Sequence, residues 1–141
     1  MRIRPFQPVD TDDVVALWQV AGLTRPWNDP RLDIARKLEV QPELFVVAVS
    51  DDDTIVGAVM AGYDGHRGWM NYLAATPGST GTGIGRALVE HVEQALLALG
   101  CPKLNVQVRS SNAQVVAFYE HLGYAVDDTV DLGKRLIADA P

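Results

Sequence analysis

A strand that runs into a glycine-rich loop, followed at once by a long helix, dictates much of how this chain can fold. The loop carries glycine at positions 81, 83 and 85, and the helix after it continues to Gly100. Glycine lets successive backbone N–H groups turn toward one point, beside the positive end of the helix dipole. The pattern predicts an anion site that suits a pyrophosphate.

Other known glycine loops differ from this one in spacing or surroundings. A dinucleotide-binding loop has the spacing G-x-G-x-x-G after the first strand of a βαβ unit, whereas this loop is G-x-G-x-G after segments that read as antiparallel strands. A kinase-type phosphate loop needs Gly-Lys-Ser/Thr, which the sequence lacks. A tight turn with close packing is the remaining alternative, but the flanking strand and helix favour the phosphate interpretation.

Three apolar segments before the loop predict an antiparallel meander. They are residues 44–49, 55–63 and 69–75, with polar turns between them. We also expect a short strand at residues 2–6, another at 104–108, and one or two more in the tail up to about residue 137.

Four helices are expected around these strands. Residues 10–13 supply the cap and first-turn acids of the first helix, and Asp29 with Pro30 begins a second that runs to about residue 40. The third follows the glycine loop, and the last begins at Asn112 and ends at Gly123. These elements predict one α/β domain over residues 1–141, with a mixed central sheet whose N-terminal strands are mainly antiparallel.

Composition and charge exclude several classes of protein. Apolar residues make up 48% of the chain and charged residues 21%, as in ordinary globular domains. A formal net charge of -6 argues against a broad nucleic-acid-binding surface. The single cysteine, Cys101, forms neither an internal disulfide nor a cysteine-based zinc site, the histidines lack metal-ligand spacing, and no apolar run is long enough for a bilayer. We therefore expect a cytoplasmic protein without metal, nucleic acid or membrane as partner.

The glycine loop and a second block near the C terminus carry a resemblance to the GNAT family of N-acetyltransferases. Residues 80–85, Thr-Gly-Thr-Gly-Ile-Gly, are similar to the family's cofactor motif Q/R-x-x-G-x-G/A. Residues 112–124 resemble its N-x-x-x-x-x-F/L-Y-x-x-x-G-F/Y element. The predicted order of elements is similar over nearly the whole chain, and segments 25–30, 62–68 and 132–137 resemble small bacterial members of the YpeA kind.

The resemblance implies acetyl-coenzyme A (acetyl-CoA) as acetyl donor and an amine as acceptor. The backbone groups that would bind the pantetheine arm are those of Leu73, Ala74 and Ala75, and those for the pyrophosphate are in Gly81, Thr82, Gly83, Ile84, Gly85 and Arg86. Asn112 would bond nearer the thiol end, and Tyr119 would protonate the leaving thiolate as general acid. Each also has a structural alternative, because Asn112 suits a helix cap and Tyr119 lies on an apolar helix face.

Two positions depart from the family's pattern. Thr80 stands where the motif begins with Gln or Arg, so one contact to the cofactor phosphates is missing. Gln107 stands where the N-terminal alanine acetyltransferases of ribosomal proteins, which residues 108–112 resemble, carry a glutamate proposed as general base. The base is therefore left open among an acid such as Asp64 or Asp29, an ordered water chain, and an amine that arrives neutral.

Together these features predict direct transfer of acetyl from acetyl-CoA to a peptide, protein or small-molecule amine. The alternative is a catalytically silent coenzyme A-binding module or sensor, which Thr80 and Gln107 support. A protein-interaction subunit without cofactor is a weaker alternative that the three glycines argue against. Trp27 and Trp69 are expected beside the acceptor, with packing as the favoured role of both. The oligomeric state is left open, with a homodimer among the alternatives.

Overall fold

Five strands form one mixed sheet in the computed structural model, which describes residues 1–140. In their order across the sheet they are β1 (Arg2–Pro5), β2 (Phe45–Val49), β3 (Ile55–Tyr63), β4 (Gly68–Ala75) and β5 (Leu104–Val106). Strands β1 to β4 are antiparallel to their neighbours, and β5 is parallel to β4. The predicted mixed sheet with antiparallel N-terminal strands is confirmed.

Four helices cover the two faces of this sheet. They are α1 (Thr11–Val20), α2 (Pro30–Leu38), α3 (Ile84–Ala98) and α4 (Ala113–His121), and short 3-10 turns occupy Pro8–Asp10 and Pro42–Leu44. Helices α1 and α2 pack on one face, and α3 and α4 pack on the other. No helix within residues 1–140 combines the length and apolar character that crossing a membrane demands.

Strand β2 lies between two apolar clusters. Phe45, Val47 and Val49 belong to the cluster under α1 and α2, whereas Val46 and Ala48 belong to the cluster under α3 and α4. All five residues are buried. The strand is therefore a continuous apolar run, even though its neighbours are antiparallel and such strands often alternate.

Strand β4 contains a bulge at Tyr72. Val59 of β3 lies opposite two residues of β4, Tyr72 and Leu73, and Tyr72 has a φ of +57°. The Tyr72 ring stacks on Trp18 of α1 with ring centroids 4.0 Å apart, and Trp18 Nε1 donates to the Tyr72 carbonyl at 3.1 Å. The bulge thus turns Tyr72 to the α1–α2 face, while the adjacent Leu73 packs on the α3–α4 face.

Strands β4 and β5 separate after a short paired stretch. Pairing runs from Gly68 opposite Leu104 to Met70 opposite Val106, and no strand of the described chain continues it along residues 71–75. The sequence predicts that the fifth strand continues to residue 108. In the structure it ends at Val106, where the chain turns away from β4 toward α4. The backbone of residues 71–75 therefore faces a gap between the two strands, called here the β4–β5 gap.

The start of α3 packs closely over the end of β3 and β4. Gly57 pairs with Ala75, and a Cβ atom added to Gly57 would lie 2.9 Å from Ile84 Cγ2 and 2.8 Å from Leu88 Cδ1. Only a residue without a side chain permits this approach. The N terminus of α3 is thereby held beside the end of β4 that borders the β4–β5 gap.

The C-terminal tail, residues 125–140, contains no strand, so the expectation of one or two strands there was wrong. Its apolar side chains are exposed, with Val130 at 85% and Leu132 at 90%. Side-chain contacts hold the tail instead, among them the ion pair of Arg36 with Asp139. Apolar residues alone do not form a strand when no neighbouring strand supplies a backbone edge and a buried face.

Candidate active site

The loop that joins β4 to α3, residues 76–83, turns with three glycines in the left-handed region, Gly78, Gly81 and Gly83, of which the last two immediately precede the helix. The φ angles are +84° at Gly81 and +85° at Gly83, where residues with a Cβ atom are strained. A Cβ atom added to either glycine would meet no other atom within 4 Å. The space beside both backbones is therefore open, as close approach of a ligand requires.

Several backbone N–H groups around the start of α3 have no protein acceptor. The first backbone bond into the helix is made by the N–H of Ala87, which donates to the Gly83 carbonyl at 2.9 Å. Within residues 1–140, no acceptor bonds the N–H groups of Gly81, Gly83, Ile84, Gly85 and Arg86. Thr82 differs, because its N–H donates to the Ser79 carbonyl at 2.9 Å. The unpaired amides lie at the positive end of the helix dipole, which suits an anion.

Gly85 has a different structural role from Gly81 and Gly83. It lies within α3, and a Cβ atom added to it would come 3.3 Å from Cζ of Phe118 in α4. Gly85 therefore lets α4 approach the start of α3. The close-packing alternative that the sequence left open applies to this glycine, whereas the left-handed turns are at Gly81 and Gly83.

The edge of β4 that borders the β4–β5 gap comes directly before the glycine loop. It includes Leu73, Ala74 and Ala75, the three residues that the resemblance assigns to the pantetheine arm. Because β5 does not pair with them, an extended ligand can bond to this edge as an added strand would. The edge and the free amides thus form one continuous surface of backbone groups.

Tyr119 lies in the apolar cluster on the α3–α4 face, together with Leu73 of β4. Its side chain is buried, and its ring meets the rings of Phe118 and Tyr124 edge-on, with centroids 5.1 Å and 5.4 Å apart. Burial raises the pKa of Tyr119 to about 12, so the hydroxyl stays protonated at neutral pH. No acceptor within residues 1–140 bonds this hydroxyl, and none of their buried side-chain polar atoms lacks a partner. The hydroxyl therefore retains solvent access and can donate to a ligand.

Asn112 caps helix α4, which confirms its structural alternative. Its Oδ1 accepts from the N–H of Val115 at 3.3 Å, and its own N–H donates to the Arg109 carbonyl at 2.8 Å. The side-chain amide NH₂ has no acceptor among the described residues, so it stays free for a ligand contact in addition to the cap.

A cleft of about 650 Å³ opens on the α1–α2 face of the sheet. We call it the acceptor cleft. Asn71 and Tyr72 of β4 line one side of it, and Gln107 and Arg109, which follow β5, line another. Because these residues flank the β4–β5 gap, the acceptor cleft meets that gap.

A carboxylate that the sequence analysis missed, Asp33 of α2, lies in this cleft. The Tyr72 hydroxyl donates to Asp33 Oδ2 at 2.6 Å, and Asn28 Nδ2 donates to the same oxygen. Arg36 donates to Asp33 Oδ1 at 3.2 Å. No local pattern could reveal this cluster, because Tyr72 is 39 residues from Asp33 in the sequence.

The two acids suggested from the sequence as general bases lie outside the acceptor cleft. Asp64 is in the β3–β4 turn, where its Oδ1 accepts from the N–H groups of His66 and Arg67, and these bonds hold the pKa of Asp64 below its usual range. Asp29 caps α2 by accepting from the N–H of Arg31 at 2.9 Å. Both carboxylates therefore stabilise local backbone structure.

Three further residues singled out in the sequence have distinct surroundings. Gln107 lines the acceptor cleft, and its amide donates to Asp131 Oδ2 at 2.7 Å. Trp27 also lines the cleft and is 59% exposed, so the prediction that it serves packing was wrong. Trp69 does not line this cleft. Thr80 is exposed on the glycine loop.

Comparison with known proteins identifies the family. Residues 12–124 match the model of the acetyltransferase (GNAT) family. An acetyltransferase of Yersinia pestis is 52% identical over 139 residues, covering 99% of this chain and 98% of that protein, and one of Pectobacterium atrosepticum is 49% identical with the same coverage. The crystal structure of Chaetomium thermophilum Naa20 in complex with a bisubstrate analogue shares the fold, with a TM-score of 0.77 and 24% identity over 89% of this chain and 72% of that one. The chain therefore belongs to the GNAT family of acetyltransferases.

Proposed function

We propose that this acetyltransferase moves the acetyl group of acetyl-CoA directly to an amine. Two adjoining sites support the proposal. The glycine loop and the edge of β4 suit a phosphate-bearing donor, and the acceptor cleft on the α1–α2 face suits an amine. The observation that carries the proposal is that both sites border the β4–β5 gap, so a donor and an acceptor would approach each other there.

The proposed donor site consists of backbone groups that have no hydrogen-bond partner among the described residues. Free amides from Gly81 to Arg86, with Thr82 excepted, would hold the pyrophosphate, and the left-handed glycines leave room for it. The pantetheine arm would then lie along residues 73–75 and bond their backbone groups. The same edge would polarise the thioester carbonyl, since amide donors aimed at its oxygen stabilise the charge that develops as the amine attacks.

We further propose that Asp33 receives a proton from the acceptor amine. Asp33 lines the acceptor cleft, whereas Asp29 and Asp64 cap local backbone. Its bonds from Tyr72 and Asn28 fix the position of the carboxylate, and a fixed carboxylate can hold an ammonium group and accept its proton. Gln107 lines the same cleft but an amide cannot take up a proton, so it would serve to orient the amine.

The reaction closes with departure of coenzyme A. The neutral amine nitrogen forms a bond to the thioester carbon, the carbon–sulfur bond breaks, the nitrogen loses a second proton to water as the amide forms, and the sulfur takes a proton. Tyr119 would supply that proton, because its hydroxyl is protonated and bonds no other described residue. Water would then return a proton to the tyrosine.

We also propose that residues 1–141 act as one domain in the cytoplasm. Both apolar clusters share the same five-stranded sheet, which supports a single folding unit. The only cysteine, Cys101, is buried and has no second cysteine to pair with, which fits a reducing compartment.

Thermal unfolding with increasing acetyl-CoA tests the donor half of the proposal. A ligand that binds only the folded state must raise the unfolding temperature, so we expect a saturable increase. Release of free thiol on adding amines then tests turnover. Stabilisation without turnover would favour a silent coenzyme A-binding module, and no stabilisation at saturating acetyl-CoA would contradict the proposal.

A further inference from the structure

The acceptor cleft gathers cations that have no carboxylate partner. Most lysines and arginines of the described chain form ion pairs with Asp or Glu, as Arg86 does with Glu90. Five of the twelve form none within residues 1–140, and three of these five, Arg25, Lys37 and Arg109, line the acceptor cleft, whereas Arg67 and Lys134 do not. In a chain with a formal net charge of -6, this local excess of positive charge stands out.

The Arg25 guanidinium is positioned by backbone. Its NH1 donates to the carbonyls of Gly22 and Thr24 at 2.9 Å and 2.8 Å. These bonds fix the side chain without neutralising its charge. A guanidinium has further N–H donors in a planar fork, so the remaining ones can bind an anion.

Lys37 has a half-buried ammonium that contacts no carboxylate in the part of the chain that the structure describes. Burial lowers the pKa of Lys37, and the carboxylate of Glu43 acts on it only at longer range. Its Nζ lies near the backbone of Gly62, 3.7 Å from where a Cβ atom of that residue would be. Keeping a charge partly desolvated and unpaired is unfavourable, so an incoming anion would gain a strong contact here.

The other charged groups of the cleft do not offset these cations. Among residues 1–140, Asp33 is the one carboxylate lining it, and Arg36 already pairs with Asp33 and with Asp139. Arg109 adds a positive charge on the side that follows β5. Within residues 1–140, the cleft thus has one carboxylate, which is paired with Arg36, and three unpaired cations elsewhere on its wall.

We propose that the acceptor is a small amine that carries a carboxylate or phosphate group. The inference rests on the proposed function and specifies its substrate class. The amino group lies toward Asp33 and Tyr72, next to the β4–β5 gap, and the anionic group is held by Arg25, Lys37 and Arg109. A volume of about 650 Å³ suits a small molecule, and Trp27 and Met60 give the cleft apolar wall for its carbon skeleton.

Matched pairs of amines test this inference. Phenylalanine is compared with phenethylamine, which lacks the carboxylate, and phosphoethanolamine with ethanolamine, which lacks the phosphate. Spermidine represents polycations. We expect kcat/KM to favour at least one anionic amine over its neutral partner by about tenfold or more, since charge-assisted hydrogen bonds discriminate on that scale. The pair in which the anionic amine is acetylated faster identifies carboxylate or phosphate as the anionic group. Equal or faster acetylation of neutral amines or spermidine would overturn the inference.

Variants connect this preference to the cleft. Arg25→Gln, Lys37→Gln and Arg109→Gln, singly and combined, are expected to raise KM for the anionic amine and reduce its advantage to about threefold or less. Arg67→Gln removes a cation in the β3–β4 turn, outside the cleft, and should leave the advantage unchanged. Equal effects of Arg67→Gln and of the cleft variants would contradict the inference.

A binding measurement separates failure of this inference from failure of the proposed function. If acetyl-CoA binds and no amine is acetylated, the proposed function fails. The same amines are then titrated by calorimetry into protein saturated with coenzyme A. Anionic amines that bind about tenfold more tightly than their neutral partners, with the difference lost in the triple variant, would uphold the inference. Equal binding of both members in both pairs would overturn it.

Discussion

The hydroxyl of Tyr72 lies 2.6 Å from Oδ2 of Asp33, and this bond joins the bulged strand β4 to helix α2 across the acceptor cleft. Burial and the neighbouring carboxylate raise the pKa of Tyr72, so Tyr72 is the donor at neutral pH. Trp18 fixes the same residue through its carbonyl and by ring stacking. The carboxylate proposed to accept the proton of the amine is therefore held in place by a residue of β4, the strand along which acetyl-CoA would lie.

Asp33→Asn should lower kcat strongly. An amide has nearly the same shape but cannot accept the proton of the amine, and a positioned base contributes roughly 100 to 10,000-fold. Steady-state rates over a range of pH measure the effect, and we expect the loss to be smallest at high pH, where more of the amine is already neutral.

Tyr72→Phe is the matched control for Asp33→Asn, since it breaks the same hydrogen bond and leaves the carboxylate in place. We expect a much smaller loss of kcat than for Asp33→Asn. If the two variants lose activity equally and with the same pH profile, Asp33 acts by positioning Tyr72 and is not the base. Asp131→Asn, which removes the partner of Gln107, should change kcat little.

Tyr119→Phe should lower kcat by roughly 100 to 10,000-fold while leaving the affinity for acetyl-CoA nearly unchanged, because the hydroxyl supplies a proton late in the reaction. The hydroxyl bonds no described residue, so the unfolding temperature should also stay close to that of the wild type. Equal turnover by the two proteins on a fast acceptor would remove Tyr119 from the mechanism.

Gly83→Val should abolish acetyl-CoA binding measured by calorimetry. The φ of +85° opposes a branched side chain, which would also occupy the open space beside the loop amides. Gly100→Val is the matched control, because Gly100 has a φ of +83° and open surroundings after the other end of α3. Both variants should lose stability, but only Gly83→Val should lose binding. Retained affinity in Gly83→Val would contradict the phosphate site.

The buried carboxylate of Asp10 should give a pH-dependent contribution to stability. It accepts from Arg4 NH1 and NH2 at 2.8 Å and 3.0 Å and from the N–H of Gln7 at 2.8 Å, and the bond from Arg4 is the main reason that the pKa of Asp10 lies below its usual range. A carboxyl whose pKa is lower in the folded state stabilises the fold above its unfolded pKa of about 3.9. This contribution is lost as the pH falls through the folded pKa.

Asp10→Asn should therefore lower the free energy of unfolding by about 1 to 3 kcal/mol at pH 7, measured by urea denaturation. The difference from the wild type should shrink as the pH is lowered below the usual aspartate range. Glu90→Gln, which breaks the exposed pair with Arg86, should change stability by less than about 1 kcal/mol. A difference for Asp10→Asn that stays constant down to low pH would contradict the linkage argument.

Local sequence patterns predicted the elements that depend on near neighbours. Asp29 accepts from the N–H of Arg31 at the start of α2, and Asn112 caps α4, both as their residue types suggest. The apolar strand β2 and the glycine turn before α3 could also be predicted, because apolar runs and glycine spacing are properties of adjacent residues.

Features that depend on contacts between residues distant in the sequence could not be predicted from local patterns. The bulge at Tyr72 lies where β4 pairs with β3, and the Tyr72 side chain bonds Asp33 of α2, 39 residues earlier in the chain. The tail carries several apolar residues, yet it lacks a strand partner among the described residues and is held by ion pairs such as that of Asp139 with Arg36. The acceptor cleft likewise gathers Arg25 and Arg109 from segments far apart in the chain, so neither its charge nor its volume follows from spacing.

The central claim is that an acetyl group passes from acetyl-CoA to an amine. The most direct test measures free coenzyme A thiol and N-acetylated amine by mass spectrometry in the same reaction, with the amines of the matched panel as acceptors. We predict that the two products form in equal amounts in the wild type and that both fall together in Tyr119→Phe and Asp33→Asn. Thiol release without acetylated amine, or acetyl-CoA binding without either product, would contradict the claim.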